Sequence, residues 1–486
     1  MFFNLLINKI NDTKLLLIIP LLIIGAGLGL LSSVVPVSIT LGAIVALILL
    51  TIILRKPEIG VLLIVVLVSS IIFEEGLPLV PIGIGSFHVT DIILIALLLL
   101  ILWKKLLGTA DIIRTPLDTP LIIFYTTCVV SALISVKFYG TDYTPVIRTL
   151  RAVTYYLTFF VITNYITTFS QLKLLIKGLI TIATIVSIAM ILQAIIGDSV
   201  SLMPGRIEKS GTFEEYDTLR ILPPGQTLLY IFFITGFCTT IIENRIIDNK
   251  YLNLLILCLL GSGIILTYNR TYWIAIIIVI SILYYFLKRP EKKRFLSLMT
   301  TALILGFIGS TFVLSSKNKF GETLLSVSER FSSVFAGKKL TTSSSLDDRY
   351  TENKYALNKI KANFIIGNGL GNSYRPSIFG SKDELTSYIH NGYFWLLLNT
   401  GLLGFLSYFW FYLGFIRRGY KNFFKIDKKL KPFMAGFFLS GIGILPMALL
   451  NPIFMQWYSI VVLSIVIGMN EVIIKISNNY KLEESK

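Results

Sequence analysis

Cysteine and histidine are nearly absent from this chain, three and two respectively among 486 residues. Cys128, Cys238 and Cys258 lie far apart inside apolar runs, with no Cys-x-x-Cys or Cys/His grouping. They give no basis for a disulfide framework or a metal site. Acidic residues are also scarce, 27 against 44 lysines and arginines. Those close to apolar runs, Glu74, Glu75, Asp91, Asp198 and Glu243, stand at or beyond the run ends. Ion-coupled transporters keep carboxylates inside their spans, because a buried carboxylate is costly unless it relays protons or binds cations, so that class is disfavoured. Asp91, in His88-Val89-Thr90-Asp91-Ile92, is expected as a helix N-cap. No repeat of a solenoid or propeller period is visible, and the two halves do not resemble inverted copies.

What is abundant is apolar sequence. Hydrophobic residues make up 55% of the chain, in runs at 15–35, 37–54, 59–75, 90–103, 120–138, 151–166, 173–197, 224–241, 251–268, 270–287, 296–315, 391–416, 432–451 and 453–475. Runs long enough to span a bilayer predict an all-α, polytopic membrane helix bundle of about 12–14 transmembrane helices. Glycine and proline are spread through these runs, as membrane helices tolerate, so residues 1–486 are expected to form a single integral domain. The N-terminus lacks a short apolar segment ending in a small-residue cleavage site and is expected to be an uncleaved first helix.

The formal net charge of +17 would suit nucleic acid, but the basic residues gather in short segments between apolar runs. They include Arg55/Lys56, Lys104/Lys105/Arg114, Lys173/Lys177, Lys288–Arg294 and Arg417–Lys431. Assigning all of them to the cytoplasmic side satisfies the positive-inside bias, leaves nucleic acid without a role and puts both termini in the cytoplasm. The stretches 76–89, 139–150, 198–223 and 316–390 then face outward. The last is the large extracytoplasmic loop. Within it Ser345-Leu346-Asp347-Asp348 has the pattern of a helix start with Ser345 as N-cap. Leu346, Tyr350, Leu357, Ile360 and Phe364 continue at roughly helical spacing to a stop at Gly367. An amphipathic helix lying over the bundle is expected. Gly367-Asn368-Gly369-Leu370-Gly371 follows a helix rather than a strand, so it is expected as a turn and not as a nucleotide-binding loop.

The outward side also collects arginines: Arg148 and Arg151 before one span, Arg206 and Arg220 before another, and Arg270 in a connection too short to carry it away from the membrane edge. Singly, each is explained by snorkelling to lipid phosphates. Together they form a set of planar donors suited to an anionic headgroup such as a diphosphate. On the same side stands His390, where the long loop meets an apolar helix. Its imidazole suits a base acting near neutral pH.

The stretch His390-Asn391-Gly392-Tyr393-Phe394-Trp395 through Asn399-Thr400-Gly401-Leu402-Leu403-Gly404 resembles the signature of the O-antigen ligase and polymerase superfamily. Arg349-Tyr350 through the glycine turn, and Asn269-Arg270-Thr271-Tyr272-Trp273, are similar to other parts of that family's pattern. Two departures stand out. Asn399 occupies a position where the family commonly has an acid, and the loop 214–225 lacks the usual Gly-x-Phe/Asn-Pro-Asn. The resemblance implies a metal-independent, inverting membrane glycosyltransferase without a cofactor, set in the bacterial cytoplasmic membrane with its site on the outer face. It would move glycan from an undecaprenyl diphosphate-linked donor to a hydroxyl on a glycan or lipid-glycan acceptor, among membrane lipids and other polysaccharide-assembly proteins. By the same resemblance His390 is the base and Arg270 a catalytic clamp. Arg220 or Arg206 and one of Arg148 and Arg151 bind the diphosphate, with Arg349 in support. Asn391 either orients the imidazole or caps the helix. Ligase and polymerase share donor and base and differ only in acceptor. The alternative class is a lipid-linked oligosaccharide flippase, which forms no bond.

Overall fold

A computed structural model of the chain describes residues 51–53, 55–82, 85–209, 218–242, 249–314, 319–335, 344–377 and 386–484. Two compact units are present, Met1–Gly60 and Val61–Lys486. Of the first only the residues around the start of α1 (Pro57–Ser69) are described. The expected runs 15–35 and 37–54 lie outside the described residues, apart from 51–53.

Each expected run from 59–75 onward coincides with helix: α1, α2 (Val89–Leu106), α3 (Asp118–Tyr139), α4 and α5 (Tyr143–Thr154 and Thr158–Tyr165), α6 (Phe169–Ile196), α7 (Gln226–Ile242), α8 (Lys250–Leu266), α9 (Arg270–Phe286), α10 (Arg289–Leu314), α13 (Gly392–Phe423), α14 (Lys431–Met447) and α15 (Trp457–Glu484). The 3₁₀ turn Tyr155–Leu157 joins α4 to α5. Among the described residues five helical segments are long and apolar enough to cross a membrane, and α1, α7, α8, α9 and α14 are shorter apolar helices. The protein is an all-α polytopic bundle.

α15 is buried continuously from Ser459 to Ile474. A helix apolar on all sides belongs in the centre of a bundle, and two of its serines find partners there: Ser459 shares a 2.8 Å hydrogen bond with Thr227, and Ser464 donates to the Tyr155 carbonyl. Glu471, an acid inside the last apolar run, accepts a two-pronged bond from Arg418 at 2.7 and 2.6 Å. A buried carboxylate held by a matching guanidinium is a structural tie rather than an ion path. A cavity of about 310 Å³ lies beside this pair, lined also by Arg114 and Lys475. Counting along α13 at 1.5 Å per residue, it is about 40 Å from His390.

The segments expected to face outward are more ordered than loops. Residues 143–150, expected as loop, are already helical, because Pro145 falls in the first turn of α4 where its missing N–H costs no bond. Two short antiparallel hairpins, β1 (Val80–Ile82) with β2 (Gly85–Phe87) and β3 (Arg206–Glu208) with β4 (Arg220–Leu222), shape two more of them. Among its described residues the long segment carries two helices, α11 (Lys319–Phe335) and α12 (Ser344–Ala362), where only the second was expected. Ser345 lies within the first turn of α12 rather than capping it. The expected apolar stripe faces inward at Ile360 but not at Tyr350, Leu357 or Phe364. Tyr350 and Leu357 are exposed, and the buried face is Glu352, Ala356 and Ile360 at intervals of one turn.

The glycine turn locks α12 to the bundle. Gly367, Gly369 and Gly371 all have left-handed φ, at 82, 85 and 72°. They thread between Ser135 of α3, Pro145 of α4 and a break in α13 at Gly401, whose φ is 63° and ψ −166°. The broken turn would leave carbonyls and amides unpaired, and the loop supplies the partners: Asn368 N–H donates to the Leu398 carbonyl and Leu402 N–H to the Phe364 carbonyl. Asn399 completes the joint. Its Oδ1 accepts from Gly371 N–H and its carbonyl accepts from Ser131.

Candidate active site

His390 ends the long segment immediately before α13. Asn391 caps that helix, its Oδ1 accepting from the N–H groups of Tyr393 and Phe394 at 3.0 and 3.1 Å. Of the two expected roles for Asn391, this is helix capping. The imidazole is oriented instead by Glu352 of α12. His390 Nδ1 lies 2.8 Å from Glu352 Oε2, and the same oxygen accepts the main-chain N–H of His390 at 3.3 Å. Glu352 is almost wholly buried, whereas the histidine side chain keeps 37% of its surface open. A carboxylate on Nδ1–H leaves Nε2 as the acceptor. Tyr388 stacks edge-on against the ring at 5.0 Å, and Arg375 Nη2 lies 4.0 Å from Glu352 Oε1.

Around this pair stands a group of arginines. Arg349, one turn before Glu352 on α12, is half-buried within electrostatic reach of Tyr388, Glu352 and Arg220. Arg220 and Arg206 lie on the β3–β4 hairpin and share one carboxylate, Glu208, at 2.9 and 2.5 Å. They differ in setting, Arg206 being 69% exposed and Arg220 21%. Arg220 Nε also donates to the Thr267 carbonyl, tying the hairpin to the sharp turn where Tyr268 has a left-handed φ of 48°. That turn presents Arg270 at the start of α9, with Asn269 as cap. Arg270 lies within reach of Arg220, and its Nε is buried without a hydrogen-bond partner among the described residues.

Arg330 of α11 faces both Arg270 and Arg220. Burial, then those two charges, bring its guanidinium down to about 10. Burial likewise lowers Arg220 and Arg349. Glu208 and Glu352 set carboxylates against this cluster. Desolvated like charges are held together most easily by a bound polyanion.

The structure therefore gathers His390, Arg349, Arg220, Arg206 and Arg270. Arg151 is engaged by other partners. Arg151 Nε reaches both oxygens of Asp91 at 2.9 and 2.8 Å, its Nη2 pairs with Glu74, and its guanidinium lies over the Trp457 ring. Asp91, expected as an N-cap, is the third residue of α2, where it accepts the N–H of the actual cap, His88. Arg148 is exposed on α4. Glu352, Arg330, Arg375 and Tyr388 were not among the candidates. Glu352 and Arg330 sit in a long segment of mixed charge, where only the fold of that segment separates them from their neighbours.

Residues 254–409 match the family model described as O-Antigen ligase. Over this segment the chain is similar to the O-antigen ligase family. The O-antigen ligase segment runs from α8 into α13 and contains Arg270, Arg330, Arg349, Glu352, Arg375, His390 and the Gly401 break. The hairpin arginines lie before it. No curated protein matches the chain. With its bundle of apolar helices, the chain is a multi-pass membrane protein.

Proposed function

We propose that the protein is a metal-independent, inverting glycosyltransferase of surface-polysaccharide assembly, acting on a glycan carried by undecaprenyl diphosphate at the outer face of the bacterial cytoplasmic membrane. The observation that carries this reading is the 2.8 Å contact between Glu352 and His390 beside a cluster of partly buried arginines. His390 Nε2 takes the proton from an acceptor hydroxyl while the oxygen bonds to the anomeric carbon. The bond from that carbon to the diphosphate oxygen breaks, and its electron pair leaves with the diphosphate. One displacement inverts the anomeric centre.

The diphosphate is already a good leaving group if its charge is held, so the site needs cations and one base rather than an acid pair. Arg270, Arg220 and Arg330 supply the cations, with Arg349 and the more exposed Arg206 at the margin. Glu352 fixes the imidazole tautomer and offsets the charge of the imidazolium formed, the part a buried carboxylate plays beside a catalytic histidine. Arg151, held by Asp91 and Glu74, braces the bundle instead.

The test is transfer by purified protein in lipid nanodiscs from a polyprenyl diphosphate-linked glycan. Wild type yields a new glycosidic bond, and His390→Ala lowers the rate by about 10²–10⁴. Undiminished transfer by the variant, or headgroup translocation with no new bond, overturns the reading.

A further inference from the structure

One turn below the arginines the chemistry changes completely. A cavity of about 320 Å³ opens between α7, α8, α9 and α11, walled by Phe233, Gly261, Trp273, Ile277, Val327 and Phe331 and by neighbouring isoleucines. Its lining is almost wholly apolar. Two of its walls are continuous with the cationic cluster: Trp273 is one turn after Arg270 on α9, and Phe331 directly follows Arg330 on α11. The rings of Trp273 and Phe331 pack at 6.1 Å and join the two helices. Ser326 of α11, bonded to the Tyr268 hydroxyl at 2.8 Å, fixes α11 against the turn that carries Arg270.

We infer that this groove holds the first part of the hydrocarbon chain of the lipid-linked donor, with α11 as its outer wall, an assignment that rests on the function proposed above. An amphiphile with a polyanionic head and a long apolar tail needs cations and an apolar channel in direct succession, and this pair of features has that order and spacing. A free phosphate or a soluble sugar nucleotide would use the arginines but has no use for the groove. The cavity is too small for a whole long-chain lipid. Ile265, Ile277 and Phe331 on its rim remain 42, 47 and 43% exposed, which opens it sideways for the rest of the tail to run into the bilayer. Gly261 keeps the floor low, since a Cβ there would stand 3.3 Å from the Phe233 ring.

The inference is tested on the full chain in nanodiscs with a polyprenyl diphosphate bearing a diazirine on the isoprene unit nearest the diphosphate. Illumination is expected to label peptides of α8, α9 and α11. In parallel, kcat/KM is compared for donors with long and short tails. Gly261→Leu and Ile277→Trp, which fill the groove from two sides, are each expected to reduce the long-to-short preference by about tenfold. Labelling confined to other helices, equal labelling of the same peptides by a diazirine-bearing phosphatidylglycerol, or an unchanged preference in both variants overturns it. If the polyprenyl probe labels the groove while wild type transfers no glycan, the groove stands and the catalytic reading fails.

Discussion

Glu352 Oε2 meets His390 twice, at the imidazole Nδ1 and at the main-chain N–H. One carboxylate oxygen thus fixes both the ring and the backbone from which it projects. It also ties α12 to the start of α13. Glu352 is a positioning residue: removing its charge while keeping its shape should impair the chemical step and leave donor binding intact. Glu352→Gln is expected to lower kcat by about 10²-fold or more with little change in the donor KM, as when the carboxylate behind a catalytic histidine is neutralised. Glu352→Asp should recover part of the rate. Steady-state kinetics with a lipid-linked donor read the split, and a rise in KM alone would count against the role.

The arginines should behave in the opposite way. A hydrogen bond to a charged group is worth about 1.5–3 kcal/mol, so Arg270→Ala and Arg330→Ala should each weaken donor binding by about 10–100-fold. Lysine at either position keeps the charge but loses the planar fork and should restore only part of the affinity. Binding measured against ionic strength should be less salt-sensitive in the alanine variants.

Asn391 caps α13 and takes no part in orienting the imidazole. Asn391→Ala should cost about 1 kcal/mol of stability, and Asn391→Asp or Asn391→Ser should recover most of it. A shortened half-life of the detergent-solubilised protein at raised temperature checks the loss.

The glycine turn is intolerant at Gly369. Its φ of 85° disfavours any side chain, and a Cβ would lie 2.8 Å from that of Ser135. Gly369→Ala should destabilise by about 1–3 kcal/mol from backbone strain, before any cost of the clash. Gly306→Ala serves as the control, because a Cβ there meets nothing within 4 Å and alanine favours helix by about 1 kcal/mol. Thermal inactivation of the two variants should move in opposite directions.

Tyr388 gives a pH signature. Burial, with the Glu352 carboxylate beside it, pushes its hydroxyl up to about 12 from an ordinary value of about 10. The fold favours the neutral phenol. Its stabilisation is therefore fully present below about pH 10 and is lost as the pH rises through about 12. Tyr388→Phe should flatten this alkaline slope in unfolding rates measured across that window.

Much of the bundle was legible because a membrane helix is specified locally: each apolar run must satisfy its own backbone hydrogen bonds, whatever it packs against. His390 and Arg270 stood out for the same reason, since titratable and charged groups are rare beside such runs. Glu352 did not. It lies in a segment of mixed charge, and its importance comes from a histidine 38 positions away. The face of α12 that carries it was misread because Glu352 and Ala356 share the buried side with Ile360, while Tyr350, Leu357 and Phe364 are exposed. α11 escaped notice because its short amphipathic pattern is completed by Trp273 and the start of α9.

The amino-acid sequence by itself determined an all-α membrane bundle and the candidacy of one histidine and several arginines. Tertiary structure decided which arginines stand together, that Arg151 is held by Asp91 and Glu74, that Asn391 is a cap, and that Glu352 directs the imidazole. Those outcomes depend on pairings between residues tens to hundreds of positions apart, set by which helix faces meet and which buried charges must be matched. Local hydropathy carries no record of such pairings.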